Sequence, residues 1–93
     1  MKVVFKIEES DLSGIRMWDQ FSERLTRLVD AGFSEIVIDF GAVRTVSSLA
    51  LGTIVATHQK MASAGHRLTV TNLSEELKVL AAKTKLLGLI SVE

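Results

Sequence analysis

The chain has no cysteine and no proline. Without cysteine there is no disulfide framework and no thiolate metal site, and a reducing cytoplasm is the expected setting. Without proline or any low-complexity stretch there is no linker to divide the chain, so residues 1–93 are expected to form one domain. Charge of one sign is also missing. Eleven basic residues balance eleven acidic ones, and neither kind forms a block. That removes the electrostatic footprint on which nucleic-acid binding depends, so nucleic acid is not expected as a ligand. Long apolar runs are absent too. The longest falls far below the roughly 20 residues needed to cross a bilayer, and the apolar run after Lys2 is broken by Lys6 and Glu8. Neither a membrane span nor a signal peptide is expected.

What the chain does have is apolar residues, 47% of the total, enough for a core. "VVFKI" (Val3 to Ile7) is β-rich and predicts a first strand. Ile15, Trp18, Phe21, Leu25, Leu28 and Val29 then recur at three- and four-residue steps, so one face of a helix is apolar. Trp18 is expected in that core, with a partner for its indole N–H. "IVIDF" (Ile36 to Phe40) is apolar on both faces apart from Asp39, as a buried central strand should be. Ser47 or Ser48 opens a second helix that runs to about Ala64 and is closed by Gly65. "RLTV" (Arg67 to Val70) predicts another strand. Ser74 caps a third helix with Glu75 and Glu76 in its first turn and Leu77, Leu80 and Ala81 as its buried stripe. "GLISV" (Gly88 to Val92) predicts a last strand. Lys78, Lys83 and Lys85 read as a solvated face. Strands alternating with helices define an α/β fold of about four mostly parallel strands with helices packed against the sheet.

Catalytic constellations are scarce. His58 and His66 lie eight residues apart with no carboxylate pair beside them, so no metal site is expected. No glycine-rich phosphate loop occurs, and the serine pair lacks the setting of a nucleophile elbow. Asp39 could act as a base or cap a loop. The chain reads as a binding protein rather than an enzyme, and no cofactor is implied. A small nucleotide-binding or hydrolytic protein has only scattered glycines and hydroxyls in its favour.

The feature left over is "TVSSLALGTIVA" (Thr45 to Ala56), which sets two hydroxyls in front of an apolar helix. Either serine can cap the helix; one can also be a switch. Around it, "SDLS" (Ser10 to Ser13), "VIDF", "SSLALG" (Ser47 to Gly52), "AGHRLTV" and "KL" (Lys85, Leu86) follow one another at a spacing that resembles the STAS family of bacterial anti-sigma factor antagonists. In that family G-E-L-D falls on Ser10 to Ser13, D-S-x-G-L-G on Ser47 to Gly52, and a G-L pair on Lys85 and Leu86. The chain looks like a minimal version, without the extra first strand and last helix that members often carry.

The resemblance implies that Ser48 is the phosphoacceptor, with Ser47 as second choice. The implied partner is an anti-sigma factor that is often also the serine kinase, bound only by the unphosphorylated form. The partner-binding residues implied or flanking are Ser13, Asp39, Arg44, Thr45, Ser47, Leu49, Ala50 and Leu51. For Asp39 and Arg44 a turn-stabilising role is an equal alternative, and at least two of Leu49, Leu51, Ile54 and Val55 are expected in the core. Three positions depart from the family pattern: Ser13 and Ser47 stand where it has Asp, and Ala50 where it has Gly. The alternative function is a constitutive STAS subunit of a larger assembly, such as a lipid-asymmetry transporter.

Overall fold

The structure is a computed structural model of the chain that describes residues 1–8, 11–12, 14–83 and 91–92, with backbone alone at 11, 12, 81, 91 and 92. Strand β1 (Lys2–Lys6) is followed by β2 (Asp11–Leu12), helix α1 (Ile15–Asp30), β3 (Glu35–Asp39) and β4 (Thr45–Val46). Helix α2 (Ser48–Ser63), β5 (Arg67–Thr71), α3 (Glu75–Lys83) and β6 (Ser91–Val92) complete the order. The first strand thus begins one residue earlier than its apolar run. Ile7 lies just past it, buried, with its N–H donating to the Asp39 carbonyl at 3.1 Å.

The main sheet runs β1-β3-β5-β6 with every neighbour parallel. Successive links all step in the same direction across the sheet, so right-handed crossovers lay their helices on one face. Alternate strand residues point to that face. Ile36, Ile38, Leu68 and Val70 form one buried cluster with Phe21 and Leu25 of α1, Leu51, Ile54 and Met61 of α2, and Leu77 of α3. Val3 and Phe5 pack against the same cluster from β1, and Phe5 stacks on Phe21 at 5.8 Å between ring centroids. Leu80 is half-buried, while the Ala81 side chain and Lys85 lie outside what is described.

The helix ends follow their sequence signals. The Ser74 hydroxyl accepts the Leu77 N–H at 3.2 Å and caps α3, whose first turn carries Glu75 and Glu76. Gly65 ends α2 at φ +78°, a conformation that costs glycine little. Ile15 departs from the expected apolar face: it is 74% exposed. It is the first residue of α1, and the core is reached only further along, at Met17 and Phe21, while Trp18, expected in the core, is half-buried outside the cluster. Among the described residues no helix is long and apolar enough to cross a membrane.

Chemical denaturation measures these assignments. Ile54→Ala should cost about 2–5 kcal/mol of unfolding free energy, and Ile15→Ala less than about 0.5 kcal/mol. A larger loss at Ile15 than at Ile54 would mean that the core is misassigned.

Candidate functional site

Parallel strands deliver their C-terminal ends to one edge of the sheet, and the loops that follow β3 and β5 meet there. Asp39 closes β3. Its Oδ1 accepts the Gly41 N–H at 2.8 Å and the Asn72 side-chain amide at 3.1 Å, tying the loop after β3 to the loop after β5. A side chain at position 41 would place its Cβ 3.0 Å from that oxygen, so the close approach favours glycine. Asn72 sits at φ +61°, a left-handed conformation that asparagine tolerates better than most residues. These two donors hold the Asp39 carboxyl below its usual range, with a smaller pull from Lys6, against the opposing effect of desolvation. Of the two roles open to Asp39, the structure displays the turn-stabilising one. In the sequence, the sole mark of Asn72 is the left-handed tolerance of an Asn placed just after a strand.

From Gly41 the chain turns through Val43, buried at 2% exposure, to Arg44 and Thr45, both exposed. β4 then pairs in parallel with β2, Asp11 opposite Thr45 and Leu12 opposite Val46. This second sheet sets the start of α1 beside the start of α2. Ser13, the next residue after β2, lies outside the described residues, as do Lys85 and Leu86.

The two serines have different surroundings. Ser47 is the N-cap, with extended backbone (φ −87°, ψ 163°); its Oγ accepts the Ala50 N–H at 3.2 Å, and its carbonyl accepts the Leu51 N–H at 3.1 Å. Ser48 is the first residue of α2 and is exposed, with no hydrogen bond to its hydroxyl among the described residues. Leu49 beside it is 54% exposed. Ala50 and Leu51, expected at a partner-binding surface, are instead buried at 0% and 6%. They share the inward face of α2 with Ile54 and Met61, so the Ala50 methyl fills the core beneath the site rather than meeting a partner. Leu51 and Ile54 meet the expectation that at least two of the four apolar positions are core, and Val55 is half-buried against them.

Trp18 braces this end of the molecule. Half-buried, it donates its indole N–H to Thr53 Oγ1 at 2.6 Å, and the Thr53 hydroxyl donates to the Leu49 carbonyl at 3.0 Å. The first turns of α1 and α2 are thereby linked. Next to the serine segment an open cleft of about 370 Å³ is lined by Gly41, Val43, Arg44, Ser74, Glu75 and Glu76. Ser48 is not part of that lining. Among the described residues no group of three His, Asp or Glu side chains could hold a metal ion.

The arrangement is an exposed hydroxyl at a helix N-terminus, on a hydrogen-bonded rim with an exposed leucine and an exposed arginine. The sequence model of the STAS domain matches residues 12–93, and the chain belongs to that family. Its fold is that of solved anti-sigma factor antagonists. The crystal structure of a putative anti-sigma factor antagonist, TM1081 of Thermotoga maritima, matches over 96% of this chain and 77% of its own, with a TM-score of 0.82 at 18% identity. The NMR structure of TM1081 matches over 99% and 73%, with a TM-score of 0.84 at 17% identity. The anti-sigma factor antagonist SpoIIAA in its unphosphorylated form matches over 99% and 78%, with a TM-score of 0.68 at 15% identity. Among curated proteins no sequence matches significantly.

Two substitutions separate the serines by stability. Ser47→Ala removes the cap and should cost about 1 kcal/mol, whereas Ser48→Ala should stay within about 0.5 kcal/mol. Equal losses would mean that the capping assignment is wrong. A third prediction concerns acid. The folded pKa of Asp39 lies below its unfolded value, so its contribution is present above the unfolded value and lost as pH falls through the folded one. Unfolding midpoints of Asp39→Asn and the parent chain should therefore differ at neutral pH and converge below about pH 4. A gap unchanged across that range would contradict the clasp.

Proposed function

We propose that this STAS domain is a binding module switched by phosphorylation of Ser48, an antagonist that docks on an anti-sigma factor with serine-kinase activity. The observation that carries the reading is the division between the serines: Ser47 takes the capping bond, and Ser48 stands exposed with no hydrogen bond to its hydroxyl among the described residues. A kinase can modify such a hydroxyl without unfolding its substrate.

The consequence of modification follows from charge. A phosphate brings roughly −1.5 to −2 charges and three acceptor oxygens. The first N–H groups of a helix have no partners within it, and the helix dipole favours an anion there. The first turn of α2 contains no acidic residue to oppose one. The domain can therefore carry the phosphate at little cost in stability. A docked partner cannot: it would have to desolvate a dianion directly beside Leu49, or be repelled by it. In this reading Arg44, Thr45, Ser48 and Leu49 form the contact surface, and Asp39 and Ser47 hold its shape. Ala50 and Leu51 support it from beneath. Such a module works in the cytoplasm, with its kinase and the sigma factor that the kinase restrains.

The test is binding to an anti-sigma factor with serine-kinase activity from the same cells, by titration calorimetry, with thermal unfolding as control. Ser48→Asp should weaken binding at least about tenfold, the effect of placing an unpaired charge in a contact, with little change in unfolding temperature. Ser48→Ala should bind as the parent does and no longer release on addition of ATP. Equal affinities for all three proteins, or unfolding by Ser48→Asp, would contradict the switch. Equal affinities would fit a constitutive structural subunit instead.

A further inference from the structure

β1 ends the order β1-β3-β5-β6, and among the described residues nothing pairs with its outer edge. Its hydrogen bonds to β3 reveal which backbone groups that edge presents. The Met1 carbonyl accepts from Ser34 and Glu35, and the Ile7 N–H donates to the Asp39 carbonyl. The N–H and C=O of one strand residue point to the same side, and those of the next residue to the other. Val3 and Phe5 therefore also face β3, while the backbone groups of Lys2, Val4 and Lys6 point away from the sheet. Unpaired groups of this kind are a template for another strand.

The side chains on this edge carry a pattern. Val3 and Phe5 pack on the core, so Lys2, Val4 and Lys6 project from the opposite face; all three are exposed, Val4 by 58%. On the inner side the register sets Lys2 opposite Glu35, Val4 opposite Val37 and Lys6 opposite Asp39. β1 thus already pairs with one strand that reads acid, valine, acid at alternate positions, and it offers the same three side chains to its open side. A second copy of the chain is disfavoured in the register that pairs the whole of β1 with itself. In two-fold antiparallel pairing centred on Val4, Lys2 of each copy would oppose Lys6 of the other, and like charges directly opposite are destabilising.

We propose that the outer edge of β1 takes up an extended segment of a partner protein carrying an acidic, an aliphatic and an acidic residue at alternate positions. The main chain of that segment pairs with Lys2, Val4 and Lys6, and its side chains repeat the complement that β3 supplies. The lysine–valine–lysine order is the same read in either direction, so the segment fits parallel or antiparallel. This surface lies on a different element from Ser48, and the proposal does not depend on the phosphorylation reading.

The test uses the full chain and two seven-residue peptides. One carries glutamate, valine and aspartate at alternate positions with threonines between and outside them; the other has lysines in place of the two acids. At low salt the acidic peptide should shift the amide resonances of Lys2, Val4 and Lys6 and slow their hydrogen exchange. Val3 and Phe5, already bonded to β3, should gain little protection. The acidic peptide should bind about tenfold more tightly than the lysine peptide, from two favourable pairs exchanged for two unfavourable ones. A Lys2→Gln, Lys6→Gln variant should lose most of that preference, and if it does not fold, raised salt should narrow the preference in the parent chain. Equal affinities, shifts confined to other residues, absent protection, or self-association of the chain through β1 would each overturn the proposal.

Discussion

Parallel strands cannot be joined by a tight turn, and much of this molecule follows from that constraint. Each link in the β1-β3-β5-β6 sheet must carry the chain back along the sheet, which a helix does while burying an apolar stripe. The strands' C-terminal ends then share one edge, and the loops that leave β3 and β5 are gathered there whatever else they do. Asp39 at the end of β3 and Asn72 just past β5 are neighbours for this reason, and their hydrogen bond makes one rim of two loops. The β2–β4 pairing and the Trp18–Thr53 hydrogen bond extend that rigidity to the starts of α1 and α2. A surface fixed in this way can bind without first paying to order itself.

On that rim the serine pair resolves into two roles. Backbone geometry decides which is which. Ser47, still extended, can turn its hydroxyl onto the N–H three residues ahead, while Ser48, already helical, cannot cap its own helix. Its side chain is left to solvent. The three helix starts also differ in charge: α3 begins with Glu75 and Glu76, whereas the first turns of α1 and α2 contain no acid. No acid in the first turn opposes an anion at the start of α2, where the exposed hydroxyl stands.

Much of the fold was legible because its long elements carry period. The three-and-four spacing from Trp18 to Val29 and the doubly apolar Ile36–Ile38 need no tertiary information, and Ser74 with its glutamates announces α3. The spacing of whole segments carried the family likeness. Short elements carry no such signal. β2 and β4 have two residues each, too few for alternation to show, and they exist because they pair. Ile15 fits the helical period yet is exposed, because period reports a face and not where along the helix the core begins. Ala50 and Leu51 were misplaced for a related reason. They adjoin the serines in sequence, but a helix turns each successive residue by about 100°, and two steps from Ser48 the chain has rotated into the core. The Asp39–Asn72 clasp joins residues 33 apart, beyond the reach of any local pattern.

The central claim is that Ser48, and not the capping Ser47, is where the domain is switched. Intact-mass and peptide mass spectrometry on the protein recovered from its own cells tests it most directly. The account predicts a fraction of molecules heavier by one phosphate, located on Ser48. A phosphate on Ser47, or none under any growth condition, would contradict it and leave the pair as a cap beside an idle hydroxyl.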